Sequence, residues 1–379
     1  MSGRQLRVLA RAAAALAVLA LAGCAATVAP AAPARTHVGA PPIASRLTGR
    51  IEPLTSFLTV TTSPPVTRGT GLLPLLVRYP VATLQLRSIR TGRVIATLLR
   101  SLGSIGAVMT RSGSVIAVLD YGCRSEVLRI DPQTDRSTLI RVLPQSADHP
   151  ALSPDGSQLA YLTYPASQRH SCDPARQPVS PVREEVNPGG PVQFLPNVVA
   201  VVNLATGATV RAATSNPGQP PSSPAWSPDG ATIAVTSLSD RSIVLLSAAH
   251  PDFASAPQIR ARPGCAYSAV TWIAQGLVAV CNRRDPALPP YQLVRLSLAG
   301  RQTASWRLPG CIDGIEPFAD PMLRHVLVEA YIGYGNGPPC GVPHPGVNSL
   351  RIMAIRGSAL DTVTVLGQRA ASQLAVTGW

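Results

Sequence analysis

The sequence predicts an all-β fold: a β-propeller of four-stranded blades that follows a leader and a flexible tether. Three observations predict it. A turn motif recurs along the chain, a second tight hairpin lies between successive copies, and the spacing is close to that of one blade.

The motif reads Leu152-Ser153-Pro154-Asp155-Gly156-Ser157-Gln158-Leu159-Ala160-Tyr161 in one copy. It reads Trp226-Ser227-Pro228-Asp229-Gly230-Ala231-Thr232-Ile233-Ala234-Val235 in another. Weaker copies follow the same grammar. Met109-Thr110-Arg111-Ser112-Gly113 leads into Val115 to Val118, and Trp272-Ile273-Ala274-Gln275-Gly276 leads into Leu277 to Val280. Phe318 to Met322 leads, with an extra residue, into Val326 to Val328. Proline presets φ for the second position of a type I turn, aspartate tolerates the third, and glycine supplies a left-handed fourth. β-formers flank the turn, so each copy is a hairpin. Met109, Leu152, Trp226 and Trp272 stand four residues before the glycine. They are expected to pack between neighbouring sheets, because one hairpin cannot bury both of its faces alone.

Second hairpins run from Thr83 to Leu98 through Thr91-Gly92, from Val198 to Ala213 through Thr206-Gly207, and from Gln292 to Leu308 through Ala299-Gly300. Two hairpins make a four-stranded blade. The motif glycine recurs at 113, 156, 230 and 276, in steps of 43, 74 and 46 residues. The long step is one blade plus an insertion of about 30 residues, which fits the propeller period. Five blades are expected from about 105 to 366. Residues 50 to 99 with the C-terminal Ser372-Gln373-Leu374-Ala375-Val376 make a sixth, and pairing the two ends removes the free edges of the ring. Six blades is the expectation and seven the second choice; a β-sandwich does not explain the recurring turns.

The Ser-Pro-Asp-Gly copies resemble the TolB-like propeller repeats, a PD40 or WD40-like group. The resemblance covers about 260 residues. It implies a propeller and hints at work in the cell envelope. It carries no activity with it, because this fold hosts many unrelated functions.

A blade alternates its connections between two faces. On one face the sequence places the tight Pro-Asp-Gly and Thr-Gly turns. On the other it places the long segments Pro165 to Pro196, Pro251 to Cys265 and Gly333 to Asn348. Cys123, Cys172, Cys265, Cys281, Cys311 and Cys340 are expected on that second face, as disulfides of an exported protein. The preferred pairing joins Cys265 to Cys281 and Cys311 to Cys340, each flanking one hairpin, and leaves Cys123 with Cys172. Loops on a rigid scaffold tend to carry binding residues. The candidates here are Tyr331, Tyr334, Asn336 and His344, in or beside the unusual Gly333-Tyr334-Gly335-Asn336-Gly337-Pro338-Pro339 segment.

The N-terminus reads as an address. Arg4, Arg7 and Arg11 precede an apolar run from Ala12 to Ala22 that ends in Leu21-Ala22-Gly23-Cys24. This resembles the lipobox of bacterial lipoproteins, which implies cleavage before Cys24 and diacylglyceryl transfer to its sulfur. The apolar stretch is short for a membrane span and its flanks fit a signal peptide. The expected organisation is a signal peptide over residues 1–23, a lipidated tether over 24–48 and a propeller over 49–379. Alanine, proline, threonine and serine dominate the tether, which cannot bury a core. Membrane lipid, held through the acyl chains on Cys24, is the first expected partner. The expected location is extracytoplasmic, anchored to the bacterial cell membrane.

The formal net charge is +14, and every one of the basic residues is Arg. The arginines are scattered rather than clustered. With export and no recognisable motif, nucleic acid is not an expected partner. No Gly-x-Ser-x-Gly elbow, His-Glu-x-x-His helix, Walker loop or calcium loop occurs. His149, His170 and His344 are the histidines whose positions allow them to converge, and no metal or cofactor is assigned to them. The expected function is a membrane-anchored module that binds a protein or ligand in the envelope. The alternatives are a cell-wall glycan or polymer binder, and a lyase or hydrolase with its site over the central channel.

Overall fold

A computed structural model describes residues 55–62, 81–121, 124–164, 197–214, 221–237, 241–283, 291–308, 314–332, 349–356, 359–366 and 374–378. They form six antiparallel four-stranded sheets. The first contains β1 (Ser56–Thr62), β2 (Val81–Ser88), β3 (Val94–Leu102) and the last strand of the chain, β24 (Leu374–Gly378). The second is β4 (Ser104–Met109), β5 (Val115–Asp120), β6 (Ser125–Asp131) and β7 (Arg136–Leu143). The third is β8 (Asp148–Leu152), β9 (Gln158–Thr163), β10 (Val198–Asn203) and β11 (Thr209–Ala213). The fourth is β12 (Ala225–Trp226), β13 (Thr232–Ser237), β14 (Ser242–Ser247) and β15 (Gln258–Arg260). The fifth is β16 (Cys265–Ile273), β17 (Gly276–Arg283), β18 (Tyr291–Leu296) and β19 (Gln302–Arg307). The sixth is β20 (Gly314–Ala319), β21 (Val326–Ile332), β22 (Ser349–Arg356) and β23 (Ala359–Leu366). The chain is a six-bladed β-propeller.

Burial along the strands explains why the sheets stack. Val115, Ile116, Ala117, Val118 and Leu119 of β5 are all buried. Side chains alternate between the faces of a strand, so a continuous apolar run means that both faces are covered. Val115, Ala117 and Leu119 join the apolar cluster shared with the first blade. Ile116 and Val118 join the cluster shared with the third. Further clusters lie between blades three and four, four and five, and five and six. The motif residues Met109, Leu152, Trp226 and Trp272 each sit in such a cluster. Trp226 also donates its indole Nε1–H to the Ala151 carbonyl of the preceding blade at 2.9 Å.

The ring closes as expected. β24 pairs with β1 through Leu374↔Thr61, Ala375↔Val60 and Val376↔Thr59. The innermost strand of the first blade therefore comes from the C-terminus.

The turns refine the repeat. Gly113, Gly156 and Gly230 have φ of 85°, 75° and 70°. In the two full copies the serine Oγ accepts the N–H of Gln158 or Thr232 at 2.9 Å, and the aspartate accepts the serine hydroxyl. Gly276 differs. It is the first residue of β17, after a two-residue turn, with φ of 133°. Its glycine is needed for a close approach, since a Cβ there would lie 2.3 Å from the Leu296 carbonyl oxygen.

The fifth copy needs a correction. It carries no extra residue: Asp320 stands in the serine position, Pro321 in the proline position and Leu323 in the glycine position. The Asp320 N–H bonds the His325 carbonyl, and the Ser153 N–H bonds that of Gln158, each five residues on. Leu323 takes φ of 56°, and the Asp320 carboxylate accepts the His325 N–H at 2.9 Å.

One loop also lies on the opposite face from that expected. Residues 248–257 join β14 to β15, which makes them a third-to-fourth connection on the tight-turn face. The Ala248 N–H bonds the Ala231 carbonyl of the neighbouring turn at 2.9 Å. The stretch read as one loop from Pro251 to Cys265 is divided by β15, and only Ala261 to Gly264 lies on the other face. What misled the reading was the weakness of β15, three residues long.

Candidate functional site

The two faces differ in how they are closed. On the face of the tight turns, called narrow here, turns of neighbouring blades touch. The Ala274 N–H bonds the Leu323 carbonyl at 2.8 Å. The first blade lacks a first-to-second turn there, because its innermost strand comes from the other end of the chain. Arg111 of the second blade spans that gap, and its Nε–H reaches the Pro321 carbonyl of the sixth at 3.1 Å. The second-to-third connections and the links between blades leave from the wide face.

Polar groups gather on the wide face where blades two and three meet. β5 ends there at Asp120 and β6 begins at Ser125. The Ser146 hydroxyl donates to Asp120 Oδ2 at 2.5 Å, and the Ser125 hydroxyl donates to the Gln145 carbonyl at 3.0 Å. The Thr163 hydroxyl donates to the Ser146 carbonyl at 2.7 Å. Gln145 bonds both the Tyr161 hydroxyl and the Arg211 guanidinium. Ser125, Gln145, Ser146, Tyr161 and Thr163 are buried. A buried network with each of these groups paired is rigid, because an unmade bond in low dielectric is costly. Burial raises the Tyr161 phenol, and the Gln145 hydrogen bond and the Arg211 charge work against that shift.

Beside this network β8 starts with a bulge. Asp148 pairs with Leu162 and Ala151 with Ala160, so His149 and Pro150 face a single partner residue. His149 takes φ of 49°. A bulge and a left-handed non-glycine both tend to mark places where a side chain is re-aimed. Proline is admitted in a strand at an edge or a bulge, and Pro150 has both. Asp148 and His149 meet at 3.1 Å, with 49% and 44% of their side chains exposed. Surrounding protein pushes the Asp148 carboxyl up. The charge and hydrogen bonds of His149 outweigh it and hold the group below the usual carboxylate range. Tyr164 follows β9 at the same end. Burial raises its phenol, and the Asp148 and Asp120 carboxylates raise it further. Across the ring, the Ser223 hydroxyl ahead of β12 donates to Glu316 of β20. That contact joins blades four and six past the fifth. Asp120, Asp148 and Glu316 thus lie towards this face in a chain whose net charge is +14. Among the described residues no three His, Cys, Asp or Glu side chains are grouped to hold a metal ion.

No family model matches the chain, and no curated protein matches it in sequence. Among solved structures, TolB from Acinetobacter baumannii aligns with a TM-score of 0.53 at 16% identity, over 86% of this chain and 67% of that one. A TolB described as putative, from Agrobacterium tumefaciens, aligns over 84% of this chain and 92% of that one, at 13% identity and a TM-score of 0.43. The chain is similar in fold to TolB. At these identities the likeness concerns the fold alone.

Within this TolB-like frame the expected site residues fall as follows. Cys265 and Cys281 form a disulfide with Cα atoms 5.4 Å apart, at the wide-face end of the β16–β17 hairpin. Tyr331 lies in β21 opposite Gly314 and Leu350. Cys24, Cys123, Cys172, Cys311, Cys340, Tyr334, Asn336 and His344 lie outside the described residues, as does His170. Of the three histidines considered together, His149 alone is described. The sequence reading did not single out Asp120, Gln145, Ser146, Asp148, Tyr164 or Glu316. One signal was available: Pro150, two residues before the Leu152 that opens the motif, marks an edge strand or a bulge.

Proposed function

We propose that this chain is a lipid-anchored, extracytoplasmic propeller that binds a protein partner of the cell envelope on its wide face. The observation that carries the reading is the difference between the faces. On the narrow face the turns are short and neighbouring ones meet, Ala274 with Leu323 and Arg111 with Pro321. The wide face offers the half-exposed Asp148–His149 pair and Tyr164, and it gives rise to the long connections. Fixed groups on a rigid frame surrounded by loops suit recognition. Attachment through Cys24 follows from the Leu21-Ala22-Gly23-Cys24 sequence, and two acyl chains are enough for stable anchoring. The partner is expected to carry basic groups that meet Asp148 and the neighbouring acids of this face.

Two measurements test this reading. Mass spectrometry of the mature N-terminus should find a diacylated cysteine, and Cys24→Ala should release the chain from the membrane. Cross-linking in native membranes, from residues near Asp148 and from the 333–348 segment, should capture one specific protein. Deletion of Gly333 to Pro339, or Asp148→Asn with His149→Ala, should weaken that capture. A glycan recovered in place of a protein would assign the chain to polymer binding instead. Capture unchanged by all of these variants would refute the choice of face.

A further inference from the structure

A second cleft lies between blades four and five, at the wide-face end of the β16–β17 hairpin. Its origin is visible in the strands. β15 closes the fourth blade with three residues, whereas β7 and β23 each have eight. The fifth blade is therefore left partly uncovered. The result is a cavity of about 350 Å³ lined by Arg262, Tyr267, Arg283, Gln292, Gln302 and the Cys265–Cys281 pair, among others. A volume of that order suits a small organic ligand.

The lining is built for an anion. Arg262 is exposed, and among the described residues none accepts a hydrogen bond from its guanidinium. Arg283 spends one N–H on Gln292 Oε1, which leaves further donors and fixes the Gln292 amide with its NH2 outward. Tyr267 is 3% exposed, yet it lines the cavity and its hydroxyl has no protein partner among the described residues. The ring is buried while the hydroxyl opens on the cleft, where it can donate to a ligand oxygen. Two guanidiniums, a phenol and two amides supply more donors than the two oxygens of a carboxylate can use. The three terminal oxygens and near-double charge of a phosphate monoester match them better.

We propose that the cleft between blades four and five binds a phosphate monoester, with Arg262 and Arg283 on the phosphate, Tyr267 donating to one of its oxygens, and Gln292 and Gln302 on neighbouring hydroxyls. The site shares no residue with the cluster at the junction of blades two and three, so its test does not depend on protein binding there. The phosphate is supplied either by a soluble sugar phosphate or by the headgroup of a phosphatidic acid.

The test is calorimetric titration of the folded chain, with its disulfide intact, with glucose 1-phosphate and with glucose as the uncharged control. Sedimentation with phosphatidic acid vesicles, against phosphatidylcholine vesicles, forms a second arm. Saturable binding in the first arm names a soluble ester, and binding in the second alone names a headgroup. Either supports the site if Arg262→Ala with Arg283→Ala weakens it by tenfold or more, as expected for lost charge-assisted bonds. Tyr267→Phe keeps the buried ring and should weaken binding about fivefold. Unfolding midpoints of the variants distinguish a lost site from a lost fold. No saturable binding in either arm, or binding that a folded double variant retains, would overturn the proposal. So would full affinity in a folded Tyr267→Phe chain.

Discussion

Pro150 occupies the space that a side chain at Gly106 would need. A Cβ on Gly106 would lie 2.4 Å from the Pro150 Cδ and 2.8 Å from its Cγ. The two residues sit on β4 and β8, the innermost strands of adjacent blades. Gly106 is not in a left-handed conformation, so its role is steric. A proline ring has little freedom to yield. Gly106→Ala is expected to cost about 1–3 kcal/mol, the usual range for an overpacked contact. Denaturant unfolding would measure it. Combining Gly106→Ala with Pro150→Ala should recover much of the loss, whereas purely additive losses would place the cost elsewhere.

The turn glycines separate conformation from contact. Nothing lies within 4 Å of a Cβ built on Gly156, so Gly156→Ala pays only for its φ of 75°. That cost is about 1–2 kcal/mol. Gly276→Ala carries a comparable conformational term and also a clash 2.3 Å from the Leu296 carbonyl. It should be the more damaging of the two by at least about 1 kcal/mol. Leu323 holds the same turn position as Gly156 with φ of 56° and a half-buried side chain. Leu323→Gly should therefore raise the unfolding midpoint slightly. A fall would mean that its packing outweighs its strain.

These cases show what the sequence made legible. The full Ser-Pro-Asp-Gly copies were readable because each residue in them answers to a local rule of turn geometry. Six blades and the closure by Leu374 to Val376 followed from their spacing. Leu323 was obscured because a leucine in a left-handed position breaks the local rule, and the bond that ties it there, from the Ala274 N–H to its carbonyl, comes from another blade. β15 was obscured because three residues give no alternating pattern. The wide-face cluster between blades two and three was harder still. Asp120, Ser146, Asp148 and Tyr164 come from separate strand ends, and only the stacking of blades two and three brings them together. The Cys265–Cys281 link was within reach because both cysteines flank a single hairpin. The Arg262–Tyr267–Arg283 cleft depends on a short strand in the neighbouring blade, which no local pattern reports.

Acid should act on the repeat turns. The Ser153 hydroxyl first, and then the Ser157 hydroxyl and N–H, hold the Asp155 carboxyl at about 2, against an ordinary value of 3.8. A group with a depressed folded-state pKa favours the fold while it is ionised. The contribution is present above pH 4 and is lost as the pH falls from about 4 to about 2. Asp155 is exposed, so water screens the effect, and about 0.5 kcal/mol is a reasonable scale. Asp155→Asn should be less stable than the parent at pH 7, and the gap should close by pH 2. Denaturant titrations at pH 7, 4 and 2 would show this; a gap independent of pH would assign the loss to turn shape rather than charge.

Ring closure makes the sharpest demand on the fold. β24 supplies the innermost strand of the first blade and pairs with Leu58 to Thr61 of β1. Phe57 and Leu58 are fully buried beside it. Removing residues 374–379 takes away that strand and exposes the inner edge of β1, an unpaired ladder open to other chains. The truncated chain is expected to lose a single cooperative unfolding transition and to associate on size exclusion. A peptide covering residues 372–379, added in excess during refolding, should restore a monomer, because the missing element is one strand with a defined register. A truncated chain that unfolds at the parental midpoint as a monomer would show that the other five interblade contacts hold the ring without its clasp.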